Sequence, residues 1–369
     1  VNKHGDAPFM APGAFSTPNE AYFAHADWVI QKAREKGLLV VLNPCYTGTL
    51  SPTNAAGWKT EILAHGPTRC RDYGRYLGNR YKGYPNIIWQ AGGDATLKAG
   101  SDLERNWLEL LQGIKEHAPH HLWTAHWSRF TTARDQRAFA RYMDVDNVYG
   151  GNRTYIQTLR AYNRPNPKPT FLNEAYYEAD ELLKGAGTAA LMRAQAYWAI
   201  LSGATGHHFG SYHIWAFGAV TFSGQGHDWR AGLESQGARE MVYVRQLFEG
   251  RAWYDLVPDQ DHAVVTAGYG TFGADDRTAG GDYVTAARTS DGSLVMAYVP
   301  STGIAARAIT VNMTSLDGAA NARWYNPTNG NYAKIPGSPF ANAGTRAFAT
   351  PGDNGTGAND WVLLLETAR

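Results

Sequence analysis

Cysteine is scarce in this 369-residue chain: there are two, Cys45 and Cys70. One pair is too few for a disulfide scaffold, so the fold must rest on buried apolar surface. The two can bridge or remain buried thiols. Charge is scarce as well, at 18% of residues, with a net value of +1. Lys and Arg are scattered, which gives no electrostatic case for nucleic acid or anionic lipid as a partner. No apolar run reaches the length of about 18 residues needed to cross a bilayer. No G-x-G-x-x-G or Walker motif opens a helix, so a nucleotide-binding open sheet loses its usual support. No G-x-S-x-G elbow presents a serine nucleophile. No H-E-x-x-H or cysteine pair backs a metal site at His207, His208 and His213, and in a strand the first two point to opposite faces. No signal peptide is visible, and the chain opens on Val1 rather than Met, so an N-terminal segment is expected upstream.

Aromatic residues are plentiful, with 12 Trp and 21 Tyr. A large core absorbs most such side chains, and stacking on sugar rings uses the same residues. Up to about residue 255, strand-like and helix-like segments alternate. Thr17-Pro18-Asn19-Glu20 predicts a helix start with Thr17 as N-cap and Glu20 completing a capping box. The stripe Tyr22, Phe23, Ala26, Ile30, Ala33 follows, and Gly37 ends the helix. Further helices are predicted around Cys70–Tyr81, Ser101–Ile114, 187–202 and 236–249. Strands are predicted at Leu38–Leu42, 86–91, Leu122–Trp127, Val145–Tyr149, Thr170–Asn173 and His207–Trp215.

Repeated βα units with both faces covered imply a parallel sheet, either a (β/α)8 barrel or an open doubly wound sheet. Polar and aromatic residues gather at the C-terminal ends of the strands, where barrel active sites lie. Six strands are counted, not eight. The residues before Thr17, with Gly5, Pro8, Pro12 and Gly13, read as loop, and a βα unit needs roughly 30 residues. The expectation is a barrel lacking its first two βα units in this chain, those units being absent or upstream. After about residue 258, strand-like runs replace helical periods, at Tyr283–Arg288, Leu294–Val299, Ala308–Asn312, Ala322–Tyr325 and Trp361–Leu365. Turn signals such as Asn329-Gly330 separate them. The expected division is a barrel over 1–257 and an all-β sandwich over 258–369.

Two strands end in acids. Asn86-Ile87-Ile88-Trp89-Gln90-Ala91-Gly92-Gly93-Asp94 is a buried strand running through two glycines into a carboxylate, and Thr170-Phe171-Leu172-Asn173-Glu174 is the second. Glycosidic bonds are cleaved by two carboxyl groups, one donating a proton and the other attacking the anomeric carbon or activating water. Asp94 is expected at the barrel mouth, with Glu174 facing it. The structural alternatives are concrete: an Asp after Gly-Gly is often a turn or helix cap, and Glu178 competes with Glu174. Asn152, Asn312 and Asn354 fit the N-x-Ser/Thr acceptor pattern, a weak signal.

Four motifs then occur in order. They are Trp89 to Asp94, Glu174-Ala175-Tyr176-Tyr177-Glu178, Gly206-His207-His208-Phe209-Gly210 with Ile214-Trp215, and Arg251 to Asp259. Together they resemble the apiosidase-like glycoside hydrolases, family 140 and its relatives, over nearly the whole chain. The tail, with Trp324-Tyr325-Asn326-Pro327-Thr328-Asn329-Gly330, is similar to the small β-sandwich that follows the (β/α)8 barrel in that family and carries a collagen-binding label. The resemblance implies that Asp94 is the acid/base and Glu174 the nucleophile. Ala95 stands where the family often has a polar or charged residue, which bears on the subsite rather than on the acid. It also implies a sugar such as apiose in pectin.

The function expected is therefore cleavage of a plant or microbial polysaccharide by a two-carboxylate, retaining mechanism, in the periplasm or after secretion. No cofactor or metal is expected, and the partner is an oligo- or polysaccharide, with neither nucleic acid nor membrane insertion. By their strand-end positions, Asn43, Tyr46, His126, Tyr149, Asn152, Tyr177, His213 and Trp215 are expected to shape the sugar subsite. The rival expectation is a non-catalytic carbohydrate- or matrix-binding protein on a degenerate barrel.

Overall fold

The computed structural model describes residues 1–11, 13–49, 57–181, 187–217, 226–278 and 280–367. Pro12, part of the expected opening loop, lies outside them. The chain forms two compact units, Val1–Tyr149 and Gly150–Arg369. The boundary expected at 257/258 falls inside the second.

In the first unit, helix α1 (Glu20–Glu35) begins three residues later than the predicted cap. Asn19, not Thr17, is the N-cap, its side chain accepting from Ala21 N at 3.1 Å. The reason lies upstream. Thr17 O accepts from Met10 N and Asn19 N donates to Pro8 O, so residues 17–19 are held extended against 8–10 and the helix cannot open earlier. Strands β1 (Val40–Leu42), β2 (Ile87–Gly92) and β3 (Leu122–His126) form a parallel sheet in that order. Its register pairs Leu42 with Trp89 and Gly92 with His126. Helices α2 (Lys59–Tyr81) and α3 (Asp102–His117) connect them, and α2 kinks at Gly66 before Pro67. A Cβ at Gly74 would come within 2.1 Å of Leu110 O, and one at Gly113 within 2.2 Å of Arg71 O, so these glycines let α2 and α3 meet backbone to backbone. Trp89, Trp107, Trp123 and Trp127, four of the six tryptophans of this unit, are fully buried in its core. Strand β4 (Thr131–Thr132) pairs antiparallel with β5 (Val148–Tyr149).

The second unit begins with α4 (Tyr155–Tyr162), β6 (Leu172–Glu174) and α5 (Ala189–Ile200), followed by α6 (Tyr212–Ala216), α7 (Trp229–Leu233) and α8 (Gln236–Phe248). The strand predicted over His207–Trp215 is reduced to isolated parallel bridges, Leu172 with His207 and Glu178 with Ser211. Tyr212 N bonds Glu178 O, and Trp215 N then bonds Ser211 O, turning the chain into α6. The remaining chain is antiparallel. Strands β7 (Leu256–Pro258), β8 (Val265–Ala267), β9 (Thr285–Thr289), β10 (Leu294–Val299), β11 (Ala308–Asn312), β12 (Ala320–Tyr325), β13 (Tyr332–Lys334), β14 (Thr345–Ala349) and β15 (Trp361–Thr367) build two sheets. Their orders are β13-β12-β15-β10-β9-β7 and β14-β11-β8.

Every residue of β10 is buried because both faces of its sheet are covered. Val295, Ala297 and Val299 pack into the sandwich with Ile309, Val311 and Phe348. The alternate residues Met296 and Tyr298 pack with Tyr197 and Trp198 of α5 and Leu247 of α8. The fully buried Arg193 of α5 adds an ionic link, with both guanidinium edges used: two 2.8 Å bonds to Asp360 and one to Glu240 of α8. Both cysteines are free and buried, and burial raises both thiols, that of Cys70 to about 12.

Candidate active site

Two strand ends carry the predicted acids, one in each unit. In the first unit, β2 runs out through Gly92 and Gly93. Gly92 has φ +88°, and a Cβ there would lie 2.5 Å from His126 O and 2.6 Å from the Trp127 ring; one on Gly93 would lie 2.8 Å from Thr47 N and Tyr46. The Gly-Gly pair thus threads the chain between the end of β3 and the loop after β1, and it is fixed there by Gly93 N to His126 O (2.8 Å) and Thr47 N to Gly92 O (3.1 Å). Asp94 emerges between Tyr46 and His126. The Tyr46 hydroxyl donates to Oδ2 at 2.5 Å and His126 Nε2–H donates to Oδ1 at 3.1 Å. Burial is the largest single influence on Asp94 and pushes its pKa up; the hydrogen bonds from His126 and Tyr46, with the nearby charges of His126 and Arg129, outweigh it and hold the carboxyl below its ordinary value. Tyr149 stacks on the His126 ring at 4.4 Å, and the Arg129 guanidinium lies 5.5 Å from the Tyr149 ring centre. Arg129 was missed in the sequence because it lies three residues past the strand end.

In the second unit, Glu174 closes β6. The Tyr177 hydroxyl donates to its Oε1 at 2.6 Å. Gly210 makes room for that tyrosine, since a Cβ there would lie 2.0 Å from its ring. A cavity of about 390 Å³ opens over Glu174, lined by Asn173, Tyr177, His208, Phe209 and Trp215 among others. That volume is in the low part of the range for small-molecule sites, about 300–1,000 Å³. Trp215 is 54% exposed and stacks on Tyr212 at 5.0 Å, an accessible aromatic surface of the kind sugar rings stack on.

Glu178 has a different task. It is buried, its Oε1 accepts from Gly237 N at 2.7 Å and its Oε2 accepts from the Ser235 hydroxyl. It caps the N-terminus of α8, where a carboxylate satisfies unpaired donors and the helix dipole. That occupation removes it as a competitor to Glu174.

The other predicted subsite residues divide. Tyr46, His126, Tyr149, Tyr177 and Trp215 lie in the arrangements above. Asn43 is committed to the backbone, donating to Gly92 O at 3.0 Å and accepting from Cys45 N at 2.9 Å, so it shapes the strand-end turn rather than offering its amide outward. Asn152 is 1% exposed and donates to Arg277 O, which also withdraws it as a glycan acceptor; Asn354 is buried likewise. His213 Nδ1 is 2.9 Å from His227 Nδ1, and His227 Nε2 is 2.7 Å from Glu181. His227 and Glu181 lie in no recognisable motif, so sequence spacing could not have found them. His207 is turned elsewhere, against Met241, and burial pushes it down to about 4; His208 lines the Glu174 cavity.

The chain resembles solved glycoside hydrolases. One so described superposes with a TM-score of 0.80 at 24% identity, over 100% of this chain and 83% of that one. A family 5 glycoside hydrolase from Bacteroides vulgatus gives 0.73 at 22% identity, over 94% and 74%. A family 39 glycoside hydrolase from Bacteroides cellulosilyticus gives 0.53 at 10% identity, over 93% and 71%. At such identities the likeness is one of fold. No curated protein sequence matches. Residues 1–255 match the model described as "Apiosidase-like, catalytic domain", and residues 271–366 the one described as "Putative collagen-binding domain of a collagenase". The protein is a glycosidase, with a carbohydrate as its substrate. The chain belongs to the apiosidase-like family, the one its four ordered motifs resemble. Among the described residues, no helix is long and apolar enough to cross a membrane.

Proposed function

We propose that this glycosidase cleaves a plant or microbial polysaccharide, with an apiose-like pectic sugar as the first candidate, by a retaining two-carboxylate mechanism on a (β/α)8-type barrel ending near residue 257. Asp94 protonates the leaving oxygen and then activates water, while Glu174 forms the glycosyl-enzyme intermediate. Tyr46, His126 and Tyr149 arrange the acid, and Tyr177 and Trp215 line the sugar site. Export to the periplasm or medium suits a polymeric substrate. The observation that carries the reading is that each motif-matched carboxyl stands at a strand end and accepts a tyrosine hydroxyl, Tyr46 on Asp94 and Tyr177 on Glu174.

One observation favours exchanged roles on the same residues. Asp94 is held toward its ionised form, which suits a nucleophile or the base of the second step better than the acid of the first. A panel of aryl glycosides and pectic side chains tests both. A mechanism-based fluoroglycoside should label Glu174, and azide should rescue the Asp94→Ala variant as a glycosyl azide. Label on Asp94 would exchange the two roles. Parental activity in both Asp94→Asn and Glu174→Gln would remove these residues from the chemistry.

A further inference from the structure

Four consecutive backbone amides follow one another at the start of the second unit, and they have two destinations. Gly150 N donates to the backbone oxygen of Glu174 at 2.8 Å. The next three all go to one residue of the sandwich segment, Asp276. Gly151 N donates to its Oδ2, Asn152 N to its backbone oxygen and Arg153 N to its Oδ1, each at 2.8 Å. Side chains repeat the connection: Asn152 Nδ2 donates to Arg277 O at 2.9 Å and Arg153 Nε to Gly280 O at 3.0 Å. From the other side, Gln195 Nε2 holds Gly151 O at 3.1 Å. The segment bearing Asp276 is itself tied down, by Gly273 N to the Tyr155 hydroxyl and by Trp198 Nε1 to Tyr283 O.

We propose that Asp276 is a positioning residue of the active site, holding the 150–153 turn that in turn fixes the backbone of Glu174, so that the C-terminal sandwich contributes to catalytic geometry. This rests on Glu174 being a catalytic carboxyl. The arrangement is not what simple chain connection requires. Asp276 is 3% exposed, and burial raises it to about 7 even though two N–H groups favour the anion. Perturbed carboxyls occur at functional sites and in structural networks alike; what ties this one to the neighbourhood of Glu174 is its three amide bonds to residues 151–153. The turn lies one hydrogen bond from Glu174, and a shift of about 1 Å at a reacting group can cost on the order of 100-fold in rate.

The test uses the full chain and an aryl glycoside that it cleaves. Asp276→Ala should lower kcat by about 10- to 100-fold with KM nearly unchanged. Amide hydrogen exchange across 150–153 should quicken in the same variant, and Asp276→Asn, which restores one acceptor, should recover part of the rate. Should Asp276→Ala fail to fold, the near-isosteric Asp276→Asn is read by the same two measurements. Faster exchange with parental kcat would overturn the proposal, since the contact would then be structural alone. A fall in kcat without faster exchange at 150–153 would overturn it too, because the effect would not pass through the turn. Glu174→Gln, assayed in parallel, separates the premise: parental activity there removes Glu174, and with it the positioning role, whatever Asp276→Ala does.

Discussion

The Tyr46 hydroxyl donates a 2.5 Å hydrogen bond to Asp94, the residue proposed to supply the proton. With His126 on the other oxygen, the carboxyl is held below its ordinary pKa. If the protonated form of Asp94 is the active one, kcat/KM must decline as pH rises through that lowered value. Tyr46→Phe and His126→Ala each delete a donor to the anion, so the acid form should persist further, and the alkaline limb should move to higher pH. A limb that stays put in both variants would detach it from Asp94. The same depression has a stability consequence of known sign: it stabilises the native state above the ordinary aspartate pKa, and this contribution is lost as pH falls through the native value.

Tyr177→Phe tests the other acid. The variant keeps the ring packed against Gly210 and removes only the hydroxyl on Glu174 Oε1. A hydrogen bond to a charged group is worth about 1.5–3 kcal/mol, so kcat should drop about 10- to 100-fold with little change in KM. A larger fall in affinity than in kcat would make Tyr177 a sugar-binding group instead.

The two candidate acids stand out in the sequence because strand ends are local: at 86–94 an apolar run, two glycines and a carboxylate are all consecutive. Tyr46 and His126 were also within reach, since Tyr46 follows one predicted strand and His126 lies near the end of another. Their pairing with Asp94 was not, because it depends on the parallel register that sets Gly92 beside His126. Asn43 and Asn152 show the opposite failure, since position at a strand end does not say which way an amide turns, and both turn to backbone carbonyls. The start of α1 was misplaced because Thr17 and Asn19 pair with residues 8–10, a tertiary contact that overrides capping preference. Asp276 was out of reach entirely. It lies in a turn with no periodicity, and its partners are more than a hundred residues away.

Gly92 should tolerate no side chain. At φ +88°, an alanine is strained, and its Cβ would meet the His126 oxygen and Trp127 ring, both of which belong to the wall that holds Asp94. Strain and overlap together should cost about 2 kcal/mol or more. The Gly92→Ala variant should lose activity in excess of its loss of stability, because the displaced strand end carries the acid. Denaturant melts compared with rates on one substrate check this; loss of stability with full residual rate would contradict it.

Glu178 supplies a control four residues from Glu174. Glu178→Ala leaves the Ser235 hydroxyl and Gly237 N at the start of α8 without their acceptor, and should destabilise the fold by about 2–3 kcal/mol. Below the melting temperature, the surviving folded enzyme should turn over at a rate near that of the parent. Abolished turnover in well-folded Glu178→Gln would instead return this residue to the list of candidate nucleophiles.

Arg193 joins α5 to α8 and to the sandwich through one fully buried guanidinium. Asp360 takes both of its 2.8 Å bonds while also accepting from Tyr298 (3.2 Å) and Asn354 (2.7 Å); Glu240 accepts from Nη1. In Arg193→Met, two carboxylates would stay buried without their cation, and breaking a buried pair by removing one partner costs about 3–5 kcal/mol. Because the same residue touches both layers, the loss should not be confined to one of them. Exchange protection in β10 and β15 should fall together with that in α5 and α8, and the melting transition should drop as a single step. If the sandwich instead kept its protection while the helices lost theirs, it would be an independently stable module, and the buried network would be incidental to its fold. The triple variant Arg193→Met, Glu240→Leu, Asp360→Leu separates charge from packing. It leaves no carboxylate unpaired, so it should recover part of the stability that the single substitution loses.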